Sequence, residues 1–125
     1  MLSVLCTYSK FEFVYAGQYA IDENDSILRH DHVRPIKSLK VINPVGGCFL
    51  YGKEVARIIG EYNPDAFLAE DLDYWLRISK QFRILGIRRL LYYYRYHSNS
   101  LRSKYSSGEV TEKDGFVRSL HGQIK

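Results

Sequence analysis

Between residues 48 and 97 the apolar pattern changes period several times, and neither an all-helical nor an all-sheet arrangement accommodates that change. CFLY (48–51) has the composition of a short buried strand, and KEVARIIG (53–60) has helical spacing with Gly60 placed to stop it. In AEDLDYWLRI (69–78), Leu72, Trp75 and Leu76 fall at i, i+3 and i+4 and predict a helix with one apolar face. FRILGI (82–87) and LLYYYRYH (90–97) return to strand composition, and are read as two strands. Helices and strands interleaved at this spacing predict an α/β fold around a largely covered, mixed β-sheet with flanking helices.

Upstream, residues 2–9 read as the end of a helix. FEFVYA (11–16) and QYAI (18–21) read as strands that end at the turn-forming cluster Asp22-Glu23-Asn24-Asp25, with residues 26–30 returning as a hairpin partner. Asn43-Pro44-Val45-Gly46-Gly47 is a loop signal, and the segment around Asn63-Pro64 is another. Downstream, residues 102–125 are a polar tail. A short terminal helix is expected there, starting near residues 111–114 with Phe116, Leu120 and Ile124 recurring every four residues.

The chain of 125 residues, 46% of them hydrophobic, is long enough for one core. Cys6 and Cys48 have no metal-ligand spacing and are too few for a disulfide scaffold, so a reducing compartment is the simpler expectation. MLSVLCTYSK has too short an apolar run for a signal peptide, and no later run approaches the roughly 18 apolar residues of a membrane span. The expected location is cytoplasmic, with peripheral membrane association compatible with the charge. Residues 74–108 carry eight bases and no acid, whereas residues 1–73 carry eleven acids against seven bases. A basic half of this kind suits an anionic ligand or surface, although a solvated basic face has the same composition.

The chemistry-bearing residues gather at the boundary of those halves. Glu70 and Asp71 open the predicted helix, where unpaired N–H groups and the helix dipole favour negative charge, so a capping and a functional carboxylate look alike. Asp73 and Arg77 have the spacing of an exposed acid-before-base pair. Asp71-Leu72-Asp73 imitates a metal-binding Asp-x-Asp, but on a helix positions i and i+2 diverge by about 200° and do not chelate one ion readily. If residues 94–97 form a strand, alternation sends Arg95 and His97 to one face and Tyr94 and Tyr96 to the other. The plain alternative is that Arg95 pairs with a nearby acid. Gly46 and Gly47 suit either a turn or close backbone approach to a ligand. His30-Asp31-His32 is a weak metal signal.

Taken in order, Gly46-Gly47-CFLYGKEVARIIGEYNP, AEDLDYWLRI and LLYYYRYHSNSL resemble the second half of a family 2 glycosyltransferase domain of the GT-A type. FVYAGQYAIDENDSI is similar to that family's strand and hairpin after its metal-binding motif, and the resemblance covers residues 1–101. It implies the C-terminal, acceptor-side portion of a nucleotide-diphospho-sugar transferase fold, without the nucleobase-binding half or its strand-end Asp-x-Asp. In that frame Asp71 is the base that deprotonates an acceptor hydroxyl. Glu70, Gly46 and Gly47 bind substrate, while Arg95 and His97 approach the donor diphosphate, His97 also being a candidate metal ligand. The resemblance further implies a divalent ion (Mn or Mg) in the complete enzyme, a nucleotide sugar with a glycan or lipid-linked acceptor, and inactivity of the isolated chain. Pairing through an exposed half-core is expected, including as a homodimer. Alternatives from other classes are a noncatalytic interaction module, or a basic module binding anions or single-stranded nucleic acid through its eleven tyrosines. The last is disfavoured because LLYYYRYH lacks the pattern of an RNA-recognition strand.

Overall fold

The centre of the molecule is a strand with no solvent-facing side. In a computed structural model describing residues 1–7 and 10–122, β1 (Phe13–Ile21) is buried at every position but Tyr19. Such an unbroken run suits a strand covered on both faces. Parallel β4 (Ile84–Arg95) follows one edge of β1 from Phe13↔Ile84 to Ile21↔Arg95. A strand has two edges, so the antiparallel partners β3 (Phe49–Tyr51) and β2 (Ile27–Asp31) lie end to end along the other. The result is a four-stranded sheet of mixed orientation.

Two breaks expected from local sequence are bridged. FEFVYA and QYAI form one strand through Gly17, and the two downstream runs form the single strand β4. The β1–β4 register slips between Ala16↔Ile87 and Gly17↔Leu90, leaving Arg88 and Arg89 exposed in a bulge. Gly17 permits this closeness, because a Cβ there would sit 2.6 Å from both the Asp31 carbonyl oxygen and Leu90 Cδ2. The hairpin from β1 to β2 is tied by Asp22, whose carboxylate accepts from the Asn24 and Ser26 N–H groups at 2.8 and 2.9 Å.

Four helices flank the sheet: α1 (Leu2–Thr7), α2 (Lys53–Ile59), α3 (Glu70–Ser79) and α4 (Ser107–Leu120). The predicted apolar face of α3 is buried, with the Trp75 ring edge-on to Phe13 and Phe49 at centroid distances of 5.1 and 4.7 Å. The terminal helix begins earlier than expected. Ser106 and Glu109 form a capping box, and Val110 and Val117 turn inward, whereas Phe116 and Leu120 are 42% and 53% exposed. The four-residue repeat therefore marked the outer side of α4, and Ile124 lies outside the described residues. Among the described residues both cysteines are free thiols, and no helix is long and apolar enough to cross a membrane.

Candidate functional site

The segment leading into α3 is held unusually tightly. Asn63 caps a short turn (Pro64–Ala66) by accepting from the Asp65 N–H at 3.0 Å. Leu68 then adopts φ +74°, a left-handed conformation that a non-glycine residue occupies only at a cost. Ala69 is the N-cap of α3 and offers no side-chain acceptor. Asp71 takes over part of that role, with Oδ1 accepting from the Leu72 N–H at 2.7 Å and Oδ2 accepting from Asn43 Nδ2 at 3.1 Å. Asp71 is thus both a helix-start acceptor and the end of a bridge to the Asn43–Gly47 loop.

Asp73 faces elsewhere. Its Oδ2 accepts from Arg77 Nε at 3.0 Å and its Oδ1 lies 2.7 Å from His121 Nε2. The Lys80 ammonium, 2.7 Å from His121 Nδ1, can only donate, so Nε2 carries the hydrogen given to Asp73. Asp71 and Asp73 therefore share no ligand position, as the helical divergence predicts. The expected exposed Asp73–Arg77 pair is corrected, because Asp73 is 2% exposed and joins α3 to the end of α4. Arg77 also donates to the Ile59 and Glu61 carbonyls at 3.0 and 2.8 Å, fastening α2 to α3.

Asp71 opens onto a cleft of about 510 Å³. One wall is the loop, with Asn43, Val45, Gly46 and Gly47, over a floor of Gln18, Phe49 and Trp75. The other is aromatic and basic, with Tyr62, Tyr94, Tyr96 and Arg102. Gln18 is the peg beneath the loop: its Oε1 accepts from the Gly47 N–H at 3.0 Å, and a Cβ on Gly46 would approach the same oxygen to 2.6 Å. A larger residue at position 46 would displace the Gln18 amide, and with it the bond that ties the loop to the sheet.

By surface area Asp71 is exposed, yet desolvation pushes its carboxyl above the usual carboxylate range. A cleft leaves a group reachable by water while protein replaces much of the water around it. Negative charge on Glu70 and Asp114 raises it further, and the bonds from Leu72 and Asn43 act in the opposite direction without prevailing. Burial also raises the Tyr62 phenol, with smaller contributions from Tyr51, Asp71 and Glu70. Glu70 does not line the cleft, and one of its carboxylate oxygens is buried without a hydrogen-bond partner among the described residues. The buried indole Nε1 of Trp75 is likewise unpartnered.

Arg95 and His97 are not part of this cleft. Arg95 ends β4, donates to the Asp22 carbonyl at 2.7 Å and pairs with Asp25 on the hairpin turn. His97 follows the strand and lines an adjoining hollow of about 480 Å³ together with Arg95, Asp22 and Glu23. Tyr94, Tyr96 and Arg102 border both spaces. The strand ends at Arg95, and residues 94–97 all line the adjoining hollow; of the four, only Tyr94 and Tyr96 also line the Asp71 cleft. Of the predicted set, the fold gathers Asp71, Gly46 and Gly47. Gln18, Asn43, Tyr62 and Arg102 were not foreseen. A polar Gln18 within an apolar strand run was the one local signal available; the others converge only through long-range pairing. His30 and His32 line a third hollow of about 570 Å³ with Asp31, whose carboxylate is paired to Arg29. No group of three or more His, Cys, Asp or Glu side chains able to hold a metal occurs among the described residues.

No family model matches this chain, and no curated protein matches it.

Proposed function

We propose that the chain supplies the acceptor-and-base side of a glycosyl transfer site of the family 2, GT-A type. The observation carrying this reading is the carboxyl of Asp71, desolvated at the wall of a cleft whose other groups suit a saccharide. Aromatic faces offer stacking to sugar rings, while the Gln18 and Asn43 amides, the tyrosine hydroxyls and the Gly46-Gly47 backbone offer hydrogen bonds. Asn43 orients Asp71, and Gln18 holds the loop that carries Asn43.

In the reaction, the acceptor hydroxyl donates to Asp71. Its oxygen forms a bond to the anomeric carbon as the bond from that carbon to the nucleotide diphosphate breaks. The hydroxyl proton passes to Asp71, and the diphosphate leaves with the bonding electrons, giving inversion. A carboxyl raised above its ordinary value is a stronger base while still ionised near neutrality. Glu70 acts on Asp71 through its charge. Arg95 and His97, beside the adjoining hollow, are donor-side candidates, Arg95 with its guanidinium already engaged by the hairpin turn. The divalent ion implied by the resemblance belongs with the donor diphosphate, and the expected substrates are a nucleotide sugar and a glycan or lipid-linked acceptor.

The test is a transfer assay with the donor-binding half present. Asp71→Asn is expected to lower the transfer rate by about two orders of magnitude or more, the scale of losing a general base, with nucleotide-sugar affinity little changed. A variant that transfers at the wild-type rate contradicts the assignment.

A further inference from the structure

Arg102 is the one lining residue of the Asp71 cleft with a full positive side-chain charge. Its guanidinium makes no hydrogen bond or ion pair among the described residues. Arg77, Lys80 and Arg95 of the basic stretch 74–108 are bonded to Asp73, His121 and Asp25, and of the bases in that stretch without such a bond Arg102 is the one that lines this cleft. Arg102 also stands on a fastened base. It begins a short turn (Arg102–Lys104) in which the Ser103 hydroxyl lies 2.7 Å from both the Ser98 and Ser100 carbonyl oxygens. Arg102 and Arg118 act on the Asp114 carboxyl by charge, lowering it against the larger upward push of desolvation.

We propose that Arg102 reads an anionic group on the acceptor, so that the substrate class is an acidic saccharide bearing a phosphate or carboxylate rather than a neutral glycan. This rests on the acceptor-site reading of Asp71. Whatever presents a hydroxyl to Asp71 fills the cleft that Arg102 also lines, so the guanidinium addresses the acceptor itself. A planar guanidinium offers two parallel donors matched to the oxygens of a carboxylate or phosphate, and lysine does not reproduce that fork.

Trp75, the only tryptophan of the chain, borders the cleft and makes binding visible by fluorescence, with calorimetry as the second readout. The intact chain is titrated with glucose, glucose 6-phosphate, glucuronate and inorganic phosphate. At least one acidic sugar is expected to bind about tenfold or more tightly than glucose, and the preferred arm identifies the acid. Arg102→Ala is expected to abolish that preference and Arg102→Lys to retain part of it. Arg88→Ala, on the exposed bulge of β4, leaves it intact. The melting temperature of Arg102→Ala should match wild type, because the side chain has no protein partner to lose. Equal binding of neutral and acidic sugars, no binding of either, phosphate alone binding as tightly as glucose 6-phosphate, or an unchanged preference in Arg102→Ala overturns the proposal. An Arg102-dependent preference without transfer chemistry removes the transferase reading alone. Transfer that is indifferent to Arg102→Ala removes this inference alone.

Discussion

At the residue scale, two acids two positions apart on α3 differ entirely in what surrounds them. Asp71 has its charged form disfavoured by desolvation, whereas Asp73 is buried yet held by Arg77 and His121. A raised carboxyl binds its proton more readily in the folded than in the unfolded chain. Its stabilising contribution is therefore complete below the ordinary carboxylate value and is lost as pH rises through the folded value. Asparagine does not titrate. The melting temperature of Asp71→Asn minus that of wild type is thus expected to increase as pH rises through this acid range and then to level off. Asp114, also raised, titrates in both proteins and cancels in the difference. Thermal melts in matched ionic strength check this, and a flat or falling difference contradicts it. A site residue that lowers stability in its working ionised form is common where function sets the environment.

At the element scale, the junction of α2, α3 and α4 is made by one buried carboxylate. Arg77 reaches from Asp73 to the end of α2, and His121 brings the end of α4 to the same oxygen pair. Removing Asp73 leaves Arg77 and His121 facing a buried space without their acceptor, a change that costs about 3–5 kcal/mol for a buried ion pair. Asp73→Ala is expected to fall toward the lower end of that range, because Arg77 is partly exposed and keeps two carbonyl partners. Urea unfolding measures it; a loss below about 1 kcal/mol, the scale of a surface pair, contradicts the junction. The helical spacing of 70–79 was legible in the sequence because local periodicity determines it. The burial of Asp73 was not, since it depends on a residue 48 positions away. The continuity of β1 and β4 was hidden for a related reason. Gly17 and Arg88-Arg89 look like local breaks, and only pairing along the β1–β4 ladder carries the strands through them. The start of α4 was present as the Ser106/Glu109 capping pattern, but the Phe116–Leu120 repeat drew the expectation to the wrong face.

At the scale of the whole molecule, the alternation of strand and helix predicted a covered mixed sheet, and the sheet is mixed, with β1 enclosed. The surface retains apolar area: Leu91, Tyr92 and Tyr93 on β4 are 42–62% exposed, and among the described residues β4 pairs with β1 alone. Asp71 was legible as a first-turn acid, and Gly46 and Gly47 as a loop. Their meeting in one cleft with Gln18, Asn43, Tyr94, Tyr96 and Arg102 depends on the tertiary fold. The account therefore stands on whether Asp71 is a desolvated carboxyl in contact with bound saccharide. The most direct measurement is carboxyl ¹³C NMR of the chain titrated with acid, alone and with glucose, glucose 6-phosphate and glucuronate. The account predicts that the Asp71 carboxyl titrates above the ordinary aspartate value of about 3.9 and that its resonance moves on addition of at least one saccharide, while that of surface Asp65 does not. An Asp71 that titrates at or below the ordinary value and is indifferent to every saccharide contradicts it.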